Sequence, residues 1–208
     1  MGVNGKGKVD KMKIQDIIKQ RIMILDGALG TMIQDYNLEE KDFRNADLAE
    51  HEGQLKGNND VLNITRPDLI LDIHRRYLAA GADLIETFSS QIISQADYQL
   101  EHLSRPMALA GARLARQAAD EFSTAEWPRF VCGSVGPTNK TCSMSPDVSD
   151  AAARDITYDQ LFDAYREQVG ALIEGGVDAI LIETIFDTLN AKAAIDATIT
   201  EMQMQGVE

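Results

Sequence analysis

The sequence is short of the residues from which several kinds of site are built. Cys132 and Cys142 are its only cysteines, too few for a disulfide framework or a structural zinc site. Its three histidines, His51, His74 and His102, have no metal-ligand spacing among themselves and read as surface or helix-packing residues. Basic residues are the minority: 20 Lys and Arg against 33 Asp and Glu give a formal net charge of -13. That balance disfavours nucleic acid, whose phosphates need clustered cations, and it disfavours an anionic membrane surface. Its plainest consequence is solubility. No run approaches the roughly 18 apolar residues of a membrane helix. Met1 to Lys8 contain Gly and Lys but no apolar signal core, and read as a solvated end. The expected setting is cytoplasmic, with neither nucleic acid nor membrane as partner.

What the sequence does contain is an alternation of helical patterns with short apolar runs. This is the signature of an α/β protein with a parallel sheet, and 44% hydrophobic residues suffice for one core. A first helix is expected over residues 10–19, with Ile14, Ile17 and Ile18 on one face. Ile22-Met23-Ile24-Leu25 reads as a short buried strand and runs into Asp26-Gly27-Ala28-Leu29-Gly30-Thr31. Residues 34–64 are long and polar, with Gly57-Asn58-Asn59-Asp60 as a turn; a connection of that length is usually functional. Thr65 is placed to cap the next helix, with Pro67 and Asp68 in its first turn and Gly81 closing it. Leu84 to Phe88 is the second strand, residues 105–121 the next helix, and Arg129 to Gly133 the third strand. A Gly/Pro/Ser/Thr-rich loop follows, from Ser134 to Asp150. Thr157-Tyr158-Asp159-Gln160 has the form of a capping box and opens a helix ending at Gly175-Gly176. Ala179 to Thr184 is the fourth strand, and a last helix over residues 188–205 ends at Gly206.

One stretch repeats. Ala80-Gly81-Ala82-Asp83-Leu84-Ile85-Glu86-Thr87 resembles Gly175-Gly176-Val177-Asp178-Ala179-Ile180-Leu181-Ile182-Glu183-Thr184. Both read as helix end, glycine turn, strand and Glu-Thr, the product of recurring βα units. The expected fold is therefore α/β of the (β/α)8 TIM-barrel family. About four units are present where a closed barrel has eight in about 250 residues. Half a barrel leaves open strand edges, so the full-length protein is expected to continue beyond Glu208; a half-barrel pairing with a second copy is the alternative.

Barrel chemistry sits at the C-terminal ends of the strands. There the sequence places Asp26, Glu86 and Glu183, three acids facing one rim and suited to a substrate ammonium group. Satisfaction by backbone amides or neighbouring cations is the plainer role. The glycines of residues 26–31 match neither the dinucleotide fingerprint nor the P-loop and suit a tight turn beside a small ligand. Cys132 lies in a strand and reads as core, whereas Cys142, between Thr141 and Ser143, is expected to be exposed. Neither has a base near in sequence to make it a nucleophile.

In order along the chain, six segments resemble the homocysteine-binding module of the cobalamin-dependent methionine synthases, within the homocysteine S-methyltransferase family. They are Ile24 to Met32, Lys56 to Asp60, Gly81 to Thr87, Gly136 to Asn139, Ser145 to Val148 and Leu181 to Lys192. The resemblance implies a barrel in which a zinc-bound homocysteine thiolate takes a methyl group from methylcobalamin to give methionine. Folate- and cobalamin-binding modules of the same protein would be its partners. It further implies that Asp26 and Gly27 hold the amino-acid part of homocysteine, that Glu183 pairs with the ammonium group, and that Thr87 belongs to the same substrate-binding set. Residues 1–20 are then an N-terminal extension with the first helix, and residues 21–208 the N-terminal half of the barrel domain.

Two departures qualify the resemblance. The family's zinc cysteines lie in Gly-x-Asn-Cys and Gly-Gly-Cys-Cys contexts, and neither occurs here. This chain alone is thus expected to bind no zinc, to have no catalytic or metal-ligating residue of its own, and to be inactive in methyl transfer. After the second strand, Glu86-Thr87 is followed directly by Phe88-Ser89-Ser90, two residues shorter than the family's usual Glu-Thr-Asn-Thr-Phe. A betaine or S-methylmethionine methyltransferase fragment and a non-catalytic half-barrel interaction module are the competing readings.

Overall fold

The computed structural model describes residues 13–207. Of the expected first helix, α1 (Ile14–Ile18) is present; residues 10–12 and the Met1 to Lys8 end lie outside the described residues. In chain order there follow α2 (Leu29–Gln34), α3 (Leu62–Thr65), α4 (Pro67–Ala80), β1 (Leu84–Glu86) and α5 (Ile92–Gln95). The remainder is α6 (Ser104–Phe122), β2 (Phe130–Val135), α7 (Tyr158–Glu174), β3 (Ala179–Ile182) and α8 (Thr188–Gln205). The three strands form a parallel sheet in the order β1-β2-β3, with Glu86 beside Cys132 and Ser134 beside Leu181. α6 and α7 are the crossovers between successive strands, an arrangement consistent with part of a TIM-barrel-like fold. Among the described residues no helix is long and apolar enough to cross a membrane.

The repeated Gly-x-Asp unit acts the same way twice. Gly81 and Gly176 take φ of 110° and 90°, the left-handed turn that lets a helix end and a strand begin at once. Each following aspartate then grips the backbone of the neighbouring segment. Asp83 donates its N–H to the Ile24 carbonyl (2.7 Å) and accepts the Ile24 N–H on its carboxylate (2.8 Å). Asp178 does the same with Val131, at 2.8 Å each way. Asp83 is buried and also accepts from Arg21 (2.7 Å) and the Trp127 indole (2.6 Å). Burial pushes its pKa up, but these donors outweigh it and hold the carboxyl at about 2.

Three expectations about local structure are corrected. Residues 22–25 do not form a buried strand: only Leu25 bridges, in parallel with Leu84, and Ile22 is 84% exposed. An apolar run is buried on both faces only where it has neighbours on both sides, and among the described residues β1 is its one partner. Thr65 does not cap α4. It ends α3, with its hydroxyl on the Val61 carbonyl (3.3 Å), because Pro67 forces Arg66 out of the helical region (φ -136°, ψ 57°). Residues 34–64 are not an irregular loop either. Three short 3-10 turns and α3 fold them into a core with Phe43, Leu48, Leu55 and Val61 buried. Arg44 fastens the turns by donating to the carbonyls of Leu48, His51 and Gly53.

α6 and α7 cross closely because small residues face each other. A Cβ added at Gly175 would stand 2.3 Å from the Ala112 Cβ. Gly175→Ala is expected to destabilise the fold by about 2 kcal/mol through overpacking, read as a lowered urea midpoint; an unchanged midpoint contradicts this contact.

Candidate functional site

The parallel sheet gathers the ends of its strands around one open cavity of about 470 Å³. Asp26 arrives directly after the Leu25 bridge, Glu86 is the last residue of β1, and Glu183 is the first beyond β3. Asp26, Gly27, Glu86, Thr87, Ser134 and Glu183 all line the cavity, so residues separated by more than 150 positions meet as the strand-end pattern predicted.

The three carboxylates line the same cavity closely enough for their charges to act on one another. Among the described residues none of the three forms an ion pair. Asp26 accepts the Glu86 N–H on both oxygens at 3.2 Å. Burial pushes the Asp26 carboxyl up to about 7, helped by the charges of Glu86 and Glu183 and opposed by backbone N–H donors. Burial also raises Glu86, with the Glu183 charge adding to it. A site of this kind lowers its free energy by taking in a cation.

Glu183 is aimed by its neighbours. The Ser134 hydroxyl donates to Glu183 Oε1 at 2.7 Å and the Thr184 hydroxyl to Oε2 at 3.3 Å. Thr184 has φ of 59°, a left-handed conformation that a β-branched residue adopts at a cost of about 1–3 kcal/mol. The strain sits where the chain leaves β3 for the cavity rim. Thr87 is buried and ties two strand ends together: its N–H donates to the Cys132 carbonyl, and its hydroxyl accepts the Ser134 N–H (3.1 Å) and donates to the Phe88 carbonyl (3.1 Å). Gly27 admits the Tyr77 ring, whose Oη would lie 3.1 Å from an added Cβ. The segment after Thr87 closes onto the end of β2 through Ser89, which accepts the Gly136 N–H at 2.7 Å.

The loop after β2 is pinned to α8. Asp187 caps that helix and also accepts the Ser143 N–H (2.9 Å) and hydroxyl (2.7 Å). Asn190 accepts the Cys142 N–H (3.0 Å) and donates to the Lys140 carbonyl (2.9 Å). Cys142 is therefore buried rather than exposed, folded in by side chains more than 40 positions later.

A zinc–thiolate centre does not fit these residues. Burial pushes the Cys132 thiol up to about 12 and raises Cys142 as well, the opposite of what a metal-binding thiolate needs. Among the described residues no group of three His, Cys, Asp or Glu is placed to hold a metal ion. His74 is buried in α4, where desolvation lowers it to about 4, and no histidine lines the cavity.

The family model for homocysteine S-methyltransferase matches residues 23–206. The chain belongs to the homocysteine S-methyltransferase family. Its fold is also that of the homocysteine methyltransferase MmuM from Escherichia coli. The oxidised form superposes with a TM-score of 0.66 at 21% identity, over 92% of this chain and 62% of that one. The metallated form gives 0.64 at 21% identity, with the same shares. The apo form gives 0.59 at 23% identity, over 88% and 57%. The chain thus spans about three-fifths of the length of that relative. For this member of the homocysteine S-methyltransferase family, Ser134, Ser89 and Thr184 are site features that sequence reasoning did not single out.

Proposed function

We propose that this chain is the amino-acid-holding part of a methyltransferase that delivers a methyl group to the homocysteine thiolate. In this reading it forms the first four βα units of a (β/α)8 barrel. The observation that carries it is the cavity at the strand ends, where Asp26, Glu86 and Glu183 converge and, among the described residues, none of them forms an ion pair. Glu183 takes the substrate ammonium, Asp26 and Gly27 hold the amino-acid part, and Thr87 acts by fixing Ser134. The ordered motifs from Ile24 to Lys192 support a methionine synthase of the cobalamin-dependent type, with methylcobalamin as donor and folate- and cobalamin-binding modules as partners. Zinc, when bound, supplies acidification of the substrate thiol. Because the described cysteines do not fit it, we place zinc and methylcobalamin outside these residues and expect no methyl transfer by the chain alone. The two free cysteines suit a reducing cytoplasmic setting.

Titration calorimetry of the purified chain tests this reading. L-homocysteine under reducing conditions and L-methionine are expected to bind saturably. The same acid lacking its α-ammonium is expected to bind at least about tenfold more weakly, since a charge-assisted hydrogen bond contributes about 1.5–3 kcal/mol. Equal affinities, or no binding of either amino acid, overturn it. The exposed apolar Ile22, Ile24 and Phe186 favour one second reading, a non-catalytic half-barrel pairing with another copy. A dimer in sedimentation together with no amino-acid binding selects that one.

A further inference from the structure

We propose that Gln168, inside α7, is a positioning residue for this cavity: its amide holds the ends of two strands in register and so keeps the Ser134 hydroxyl on Glu183. The inference rests on the amino-acid-binding reading above.

Gln168 is 2% exposed and does not line the cavity. Its Nε2 donates to the Ser134 carbonyl at 3.0 Å and to the Ser89 hydroxyl oxygen at 3.2 Å. Ser89 in turn accepts the Gly136 N–H at 2.7 Å, and Tyr165, one turn earlier on α7, donates to the Gly136 carbonyl at 3.1 Å. The backbone of Ser134 is thereby fixed on both sides. Thr87 Oγ1 takes its N–H at 3.1 Å and Gln168 takes its carbonyl. The hydroxyl of Ser134 is left to donate to Glu183 at 2.7 Å.

Packing alone gives no reason for an amide here. The surrounding face of α7 buries Leu161, Tyr165, Val169 and Leu172, and an apolar side chain would serve that core. Gln168 Oε1 finds no donor among the described residues, a cost that a buried amide avoids unless its other half is needed. The needed half is the donor that joins Ser89 to Ser134. Nothing in the sequence marks position 168, because its partners lie 34 and 79 positions away.

The test is the ratio of affinities for L-methionine and for the same acid lacking its α-ammonium, measured by calorimetry on the whole chain. A residue that only supports the fold changes both affinities alike; one that aims Glu183 changes the ratio. Gln168→Met keeps the length and removes the donor. It is expected to cut the preference for L-methionine at least about fivefold, with the affinity for the analogue kept within about twofold; these thresholds correspond to about 1 kcal/mol and 0.4 kcal/mol at 1.4 kcal/mol per tenfold. Ser89→Ala removes the other end of the link from a less buried position and is expected to shift the ratio the same way. It decides the matter if Gln168→Met does not fold. A ratio unchanged in the folded variant, or parallel loss of both ligands, overturns the proposal. If the wild-type chain itself shows no preference for the amino acid, it is the functional reading that fails.

Discussion

Glu183→Gln is expected to weaken binding of L-methionine and L-homocysteine about a hundredfold, while leaving the ammonium-free analogue nearly unaffected. The variant keeps the shape and one acceptor oxygen, so the Ser134 contact at 2.7 Å survives, while the end that accepts the Thr184 hydroxyl becomes an amide NH2 and loses that bond. What it removes is the negative charge that the cavity offers to an ammonium group. Removing one partner of a desolvated charge pair costs about 2–5 kcal/mol, and a hundredfold lies near the lower end because this cavity is open. Glu86→Gln should cost less, since among the described residues no side-chain donor fixes the aim of Glu86, whereas Ser134 and Thr184 direct Glu183. Calorimetry on the two variants gives the order directly. Equal small losses for both would mean that the ammonium is held elsewhere and would remove the support for the proposed role of Glu183.

The order of importance among these acids is only partly legible in the sequence. Glycine punctuation reads well: Gly81, Gly176 and Gly206 all take positive φ, and Thr157 with Gln160 forms the expected capping box. These signals are local, and local chemistry settles them. Strand ends read well for the same reason, since an apolar run followed by Asp-Gly or Glu-Thr fixes where Asp26, Glu86 and Glu183 emerge. Burial does not read as well, because it depends on neighbours. Ile22 to Leu25 has the composition of a central strand but, among the described residues, a strand partner on one side only. Cys142 sits in a polar loop, yet Asn190 and Asp187 fold that loop inward. Ser134 and Gln168 owe their roles to contacts across the sheet, and the backbone strain at Thr184 arises only once β3 must turn toward the cavity. None of these three features has a pattern of its own in the chain.

Asp26→Asn is expected to make the protein more stable at pH 8 and to leave it unchanged near pH 4. Asp26 has its carboxyl raised from 3.8 to about 7 in the folded state, chiefly by burial and then by the charges of Glu86 and Glu183. The folded state therefore keeps a proton that the unfolded chain gives up. Where the native state binds more protons, stability falls as pH rises; here the fall runs from about pH 4 to about pH 7 and then levels off. Asparagine cannot ionise, so the variant escapes that loss. At about 1.4 kcal/mol per pKa unit the ceiling is about 4 kcal/mol, and water in the open cavity brings the expected gain at pH 8 to about 2 kcal/mol. Urea unfolding of both proteins across this range measures it, and a stability difference that does not change with pH would refute the burden assigned to Asp26. The same carboxyl links ligand binding to protons. An ammonium entering the cavity favours the ionised form, so L-methionine binding near pH 6.5 should release a proton from the wild-type chain and none from D26N. Binding enthalpies measured in two buffers of different ionisation enthalpy should then diverge for the first and coincide for the second. In the proposed function, the acid that weakens the empty fold is thus one of the three that would favour an ammonium group in the cavity.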